Sequence, residues 1–202
     1  MSLLVKICGM TQAETVDAAM RCGADALGFV FAESPRRVTP QQAKLAANDI
    51  SSHVLRVAVM RHPKPHEWRE VLDVFRPDVL QTDAADFEYL DVPTHIRRWP
   101  VVREGDGVLA LPQEFVYEGK KSGQGETVDW GVAAALARRG RMILAGGLDA
   151  NNVAEAIRTV RPFGVDVSSA VESAPGRKDA KKIGQFINAV RAAQAGKVIH
   201  EI

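Results

Sequence analysis

Cysteine is scarce in this chain. Its 202 residues hold two, Cys8 and Cys22, with no framework spacing, so a reducing, cytoplasmic setting is expected. Net charge is scarce too. Lys and Arg number 26 against 25 Asp and Glu, a balance of +1, which argues against a nucleic acid or membrane surface held by bulk charge. No apolar run is long enough to cross a bilayer. The N-terminus enters an apolar stretch containing Lys6 without the layout of a signal peptide. The five histidines are His53, His62, His66, His95 and His200. Only His62 is placed to approach a ligand-bearing rim, so no metal site is expected. There is no low-complexity linker, and residues 1–202 read as one domain.

What the chain does have is alternation. Apolar residues recur at helical spacing in several stripes, such as Trp68, Val71, Leu72 and Phe75, or Ile183, Phe186, Ile187 and Val190. Each stripe is one buried helix face, which makes Trp68 and Trp130 core residues rather than ligand platforms. Between the stripes lie short apolar runs at 3–8, 26–31, 54–60, 79–81, 97–102, 115–118, 142–145 and 165–167. Near-continuous apolar strands alternating with helices mean a parallel sheet covered on both faces. Eight such units predict an α/β fold of the closed (β/α)8 barrel type, with an open doubly wound sheet as the alternative. The weak arc runs from Thr82 to Glu114. It offers a short helix candidate at Asp86–Leu90, a strand interrupted by Pro100, and a link without helical period.

Ligands of such barrels sit at the C-terminal ends of the strands. In the first strand Leu4, Lys6 and Cys8 share one face, and Leu3, Val5 and Ile7 the other. A lysine facing a core needs an anionic partner, and Asp166 on the eighth strand is a candidate. Asp166 could equally take a sugar hydroxyl. Gly146 and Gly147 follow the seventh strand, where their backbone can approach a ligand closely. Ser168-Ser169-Ala170 follow the eighth and could open a short extra helix before Pro175. Together these loops predict a phosphate cup. Arg36 follows Pro35 in a loop. Arginine makes two-point contacts with carboxylates, although residue type alone favours a solvated surface role. Glu118 ends the sixth strand before a glycine-rich loop, 119–125. It shares an inward face with Val116, on a rim expected to be apolar.

These segments resemble the phosphoribosylanthranilate isomerase family of tryptophan synthesis. VKICGMT at 5–11, GFVF at 28–31, SPR at 34–36, VDW at 128–130, LAGGL at 144–148, VDVSSAVE at 165–172 and PGRKD at 175–179 follow the family's order and spacing. The resemblance implies a small (β/α)8 barrel with a reduced or missing fifth helix. It implies an Amadori rearrangement, without cofactor or metal, of N-(5-phosphoribosyl)anthranilate to 1-(2-carboxyphenylamino)-1-deoxyribulose 5-phosphate. By position, Cys8 would be the base and Glu118 the acid. Arg36 would hold the anthranilate carboxylate, and Gly146, Gly147, Ser168 and Ser169 the phosphate. The sequence departs from the family in three places. Glu118 stands where aspartate is usual. Gln81-Thr82-Asp83-Ala84 replaces a Gln-Leu-His-Gly run, so that Asp83 meets the substrate region, where it would repel the carboxylate or brace Arg36. Ala170 replaces a glycine, which would strain a left-handed backbone.

Two other readings stay open at this stage: another phosphosugar isomerase or epimerase of the same fold, and a barrel that binds a phosphosugar without turning it over. Monomer and homodimer are equally open.

Overall fold

The computed structural model describes residues 2–106, 111–119 and 127–198. Eight parallel strands close into a barrel in chain order: β1 (Leu4–Cys8), β2 (Ala26–Val30), β3 (Leu55–Val59), β4 (Val79–Asp83), β5 (Arg97–Arg103), β6 (Glu114–Glu118), β7 (Arg141–Leu144) and β8 (Gly164–Val167). Closure comes from β1, which pairs with β2 on one side and β8 on the other. Alternation along each strand separates two cores. Leu4, Ala26, Val57, Val79, Trp99, Val101, Val116 and Ile143 fill the barrel. Val5, Ile7, Leu27, Phe29, Leu80, Phe115 and Tyr117 point outward into the helix layer.

The outer layer holds α1 (Ala13–Cys22), α2 (Pro40–Ala46), α3 (Pro65–Phe75), α4 (Trp130–Ala137), α5 (Val153–Val160) and α6 (Ala180–Val198). Their ends follow local chemistry. Helix α1 stops at Gly23, whose φ of 94° and N–H bonds back to Ala19 and Met20 form a left-handed cap. Helix α2 starts at a capping box between Thr39 and Gln42, with Pro40 at its first position. Trp68 is buried in the helix layer, its indole N–H donating to the Asp91 carbonyl at 2.9 Å. Among the described residues no helix is long and apolar enough to cross a membrane.

The weak arc of the sequence is the weak arc of the barrel. A 3-10 segment, Ala84–Glu88, replaces a full helix after β4, starting two residues ahead of the expected helix. Between β5 and β6 the described residues contain no helix. Pairing of β5 with β6 begins at Val101, past Pro100, whose ring nitrogen has no hydrogen to donate. The short extra helix expected after β8 is one 3-10 turn, Ser169–Val171, and a hairpin absent from the sequence reading follows it. Its strands are β9 (Glu172–Ala174) and β10 (Arg177–Lys178). It turns at Gly176, with φ 79°, where a Cβ would lie 2.4 Å from the Pro35 carbonyl oxygen. The hairpin is thereby pressed against the loop that carries Arg36.

Candidate active site

The C-terminal rim encloses a cavity of about 540 Å³. Cys8, Arg36, Gln81, Arg103, Glu118, Gly146, Gly147, Asp166, Ser168 and Ser169 line it. Every residue expected at the site therefore reaches one cavity except Asp83, which is buried beside it. The rest of the glycine-rich loop, 120–126, lies outside the described residues.

Strand register places the first pair. Lys6 lies opposite Asp166 across β1 and β8, and its Nζ is 2.6 Å from Asp166 Oδ2. Lys6 is wholly inaccessible to solvent. Burial works against its ammonium, but the Asp166 carboxylate, with Cys8 beyond it, outweighs burial and raises its pKa. The other Asp166 oxygen, Oδ1, is buried and has no hydrogen-bond partner. The structure thus shows the expected pair with Lys6 on one oxygen.

Cys8 ends β1 directly above Lys6. Gly28, opposite it on β2, makes the room. A Cβ there would lie 3.0 Å from Cys8 Sγ and 3.3 Å from Lys6 Cε. Burial pushes the Cys8 thiol upward, and the Lys6 and Lys178 ammonium groups only partly offset it. The resting residue is a thiol, so the positive potential expected from Lys6 does not make it a standing thiolate.

The glycine cup follows β7, where Gly146 and Gly147 have φ of 89° and 60°. The Gly147 carbonyl accepts from Asn152 Nδ2 at 2.7 Å, which fixes the turn. The Ser168 hydroxyl is turned away from a donor role toward a ligand: it donates to the Cys8 carbonyl at 3.0 Å. Ala170 is not in the left-handed region, so the alanine carries no strain there.

The carboxylate end differs from the expectation in two ways. Arg36 does not pair with Asp83. It grips Glu172 through Nε at 2.7 Å and Nη2 at 2.9 Å, leaving Nη1 for a ligand. Asp83 is instead bound by Arg103, with His62 Nε2 3.3 Å from its other oxygen. The His62 ring bridges Asp83 and Asp86, its Nδ1 lying 3.0 Å from Asp86 Oδ1. These three residues converge closely enough to suggest a metal site. Asp86, however, is already used by the Thr82 hydroxyl, the His62 N–H and the Tyr89 hydroxyl. Burial would raise the Asp86 pKa, but these hydrogen bonds hold it below the usual carboxylate range. Nor is the rim around Glu118 apolar as expected. Arg103 Nη2 is 3.2 Å from Glu118 Oε1.

A family model described as N-(5'-phosphoribosyl)anthranilate isomerase matches residues 5–189. The chain belongs to this family. A Bacillus cereus N-(5'-phosphoribosyl)anthranilate isomerase is 38% identical, covering 96% of this chain and 100% of the relative. One from Pseudomonas putida is 40% identical over 93% and 97%. Among solved structures, TrpF from Jonesia denitrificans superposes with a TM-score of 0.79 at 33% identity, covering 96% of this chain and 98% of that one. A phosphoribosyl anthranilate isomerase in complex with reduced 1-(o-carboxyphenylamino)-1-deoxyribulose 5-phosphate gives 0.76 at 29% identity, covering 94% and 99%.

Within the isomerase family's pattern, the residues that sequence reasoning passed over are Arg103, Glu172 and Lys178, while His62 was placed at the rim but weighed only as a metal ligand. Glu172 and Lys178 stood inside the quoted VDVSSAVE and PGRKD segments without a role. Their signal was a cluster of charges, Glu172, Arg177, Lys178 and Asp179, around a small-residue turn. Arg103 lay in the arc without periodicity, and nothing in its neighbours marked it.

Proposed function

We propose that this isomerase converts N-(5-phosphoribosyl)anthranilate to 1-(2-carboxyphenylamino)-1-deoxyribulose 5-phosphate, with Glu118 as acid and Cys8 as base. The observation that carries the assignment is the single cavity. It joins a thiol, a carboxyl, an arginine and a glycine cup on four different strand ends. Protonated Glu118 gives its proton to the furanose ring oxygen. The C1–O bond breaks and the nitrogen lone pair forms an iminium. That cation makes the C2 hydrogen acidic and draws a proton from it to Cys8 as thiolate. The resulting enolamine gains a proton at C1 and loses one from its C2 hydroxyl, giving the ketone. Asp166 Oδ1 accepts from a sugar hydroxyl, which satisfies its unpaired oxygen. Arg36 Nη1 takes the anthranilate carboxylate. Backbone N–H groups at Gly146, Gly147, Ser168 and Ser169 take the phosphate.

The test is to generate phosphoribosylanthranilate in situ and follow loss of its fluorescence. The parent protein should turn it over, Cys8→Ala should not, and Cys22→Ala should be silent. Near-normal turnover by Cys8→Ala would remove the thiol from the mechanism.

A further inference from the structure

The mechanism above treats the two anionic ends of the substrate as separate contacts, but one buried carboxylate joins them. Glu172, at the start of β9, accepts from Arg36 through both oxygens. Its Oε1 also accepts from Lys178 Nζ at 2.8 Å. Lys178, on β10, then donates to the Ser168 carbonyl at 2.9 Å and the Ser168 hydroxyl at 3.2 Å. The Lys178 side chain is wholly buried and that of Glu172 nearly so. The thread thus runs from the carboxylate-binding loop to the phosphate-binding loop without passing through water.

We propose that Glu172 is a positioning residue that sets Arg36 and the Ser168–Ser169 peptide from one point, so that both ends of the substrate are held in one frame. This rests on the reading of the site given above and deepens it.

Three physical arguments support it. The first is charge. One carboxylate between a guanidinium and an ammonium leaves one positive charge uncompensated beneath two ligand anions. The second is polarisation. A cation on the Ser168 carbonyl strengthens the opposite end of the same peptide, the Ser169 N–H, as a donor. The third is stiffness. The hairpin that carries both Glu172 and Lys178 is wedged between loops, with Gly176 against the Pro35 carbonyl and its own carbonyl accepting from Thr11 Oγ1 at 3.2 Å. Arg36 has no room to re-aim, since Gly9 packs against its stem.

The experiment compares three ligands by calorimetry. They are the reduced product 1-(2-carboxyphenylamino)-1-deoxyribulose 5-phosphate, its counterpart without the ring carboxyl, and its counterpart without the phosphate. The parent should lose affinity when either group is removed; equal affinity for all three would sink the site reading itself, whatever Glu172 does. Glu172→Gln should bind the full ligand about tenfold more weakly, in the range of coupled contacts. Part of that loss should remain with each truncated ligand, because each retains one end. A loss that vanishes on removing one group, or no loss at all, overturns the proposal. Glu172→Gln strands the buried Lys178 ammonium, so Glu172→Gln/Lys178→Met serves as the second variant. Its melting temperature should recover while its affinity stays low. Recovery of both would mean that Glu172 only neutralises Lys178, and the proposal would fall.

Discussion

Gly9→Ala should damage the protein at a distance of one side chain, through Arg36. Gly9 follows Cys8 with φ of +81°, and a Cβ built there lies 2.5 Å from Arg36 Cδ, 3.2 Å from Cγ and 3.3 Å from its Cβ. An alanine pays about 1–2 kcal/mol for a left-handed backbone. The clash adds to this. Arg36 Cδ is not the free end of a flexible chain, because Nε and Nη2 beyond it are fixed on Glu172. Moving the stem by the ångström required breaks or lengthens at least one charge-assisted hydrogen bond, worth about 1.5–3 kcal/mol. The sum is about 2.5–5 kcal/mol. For a chain of this size each kcal/mol lowers Tm by roughly 2–4 °C, so a drop of about 5–20 °C is expected. Gly23→Ala is the control. Gly23 has φ of +94° and nothing within 4 Å of its would-be Cβ. It carries the backbone cost alone and should lower Tm by roughly 2–8 °C. The paired assay is steady-state turnover. Gly9→Ala should raise KM about tenfold with a smaller effect on kcat, since a displaced Arg36 weakens ground-state and transition-state binding alike. Gly23→Ala should leave both unchanged. Equal melting temperatures and equal KM for the two variants would refute the idea that Glu172 fixes Arg36 against Gly9.

Burial raises the Cys8 pKa, and the base must be thiolate, so kcat/KM should climb with pH through the ordinary thiol range; a flat profile there would argue for another base. Gly147→Asp should raise KM through charge repulsion in the phosphate cup and abolish competition by inorganic phosphate, whereas an unchanged KM would place the phosphate elsewhere. Glu118→Gln should lower turnover by roughly 10²–10⁴-fold and Glu118→Asp should retain measurable activity; full activity in Glu118→Gln would move the acid into the glycine-rich loop. Burial alone would raise the Glu172 pKa, but Arg36 and Lys178 hold it below its ordinary value of 4.5. The unfolded chain therefore takes up this proton first, and the pair's stabilisation is intact above that value and lost as pH falls through the native one. Urea midpoints between about pH 6 and 3 should fall less steeply for Glu172→Gln, and parallel curves would show the pair to be without weight.

Legibility in the sequence followed the range of the interactions. Strand faces are set by neighbours two positions apart, and the inward set Leu4, Lys6 and Cys8 was readable from that period alone. The Lys6–Asp166 pair was readable too, because closure of a barrel must bring β8 to β1. Asp83 shows the limit. Its position was clear, but its partners come from the loop after β3 and from β5, and no period in the chain links residues 62, 83 and 103. Glu172 was hidden differently. A three-residue strand, Glu172–Ala174, and a two-residue one, Arg177–Lys178, are too short to show alternation. The hairpin's purpose lies in contacts to Pro35 and Thr11 made across the mouth of the barrel.

Arg103 sets a condition on how the acid works. Its guanidinium lies 3.2 Å from Glu118, the group proposed to give a proton to the ring oxygen. The same guanidinium binds Asp83, so it balances two carboxylates that would otherwise repel each other across the β4–β6 side of the cavity. Aspartate in place of the family's histidine thus serves as an anchor for Arg103.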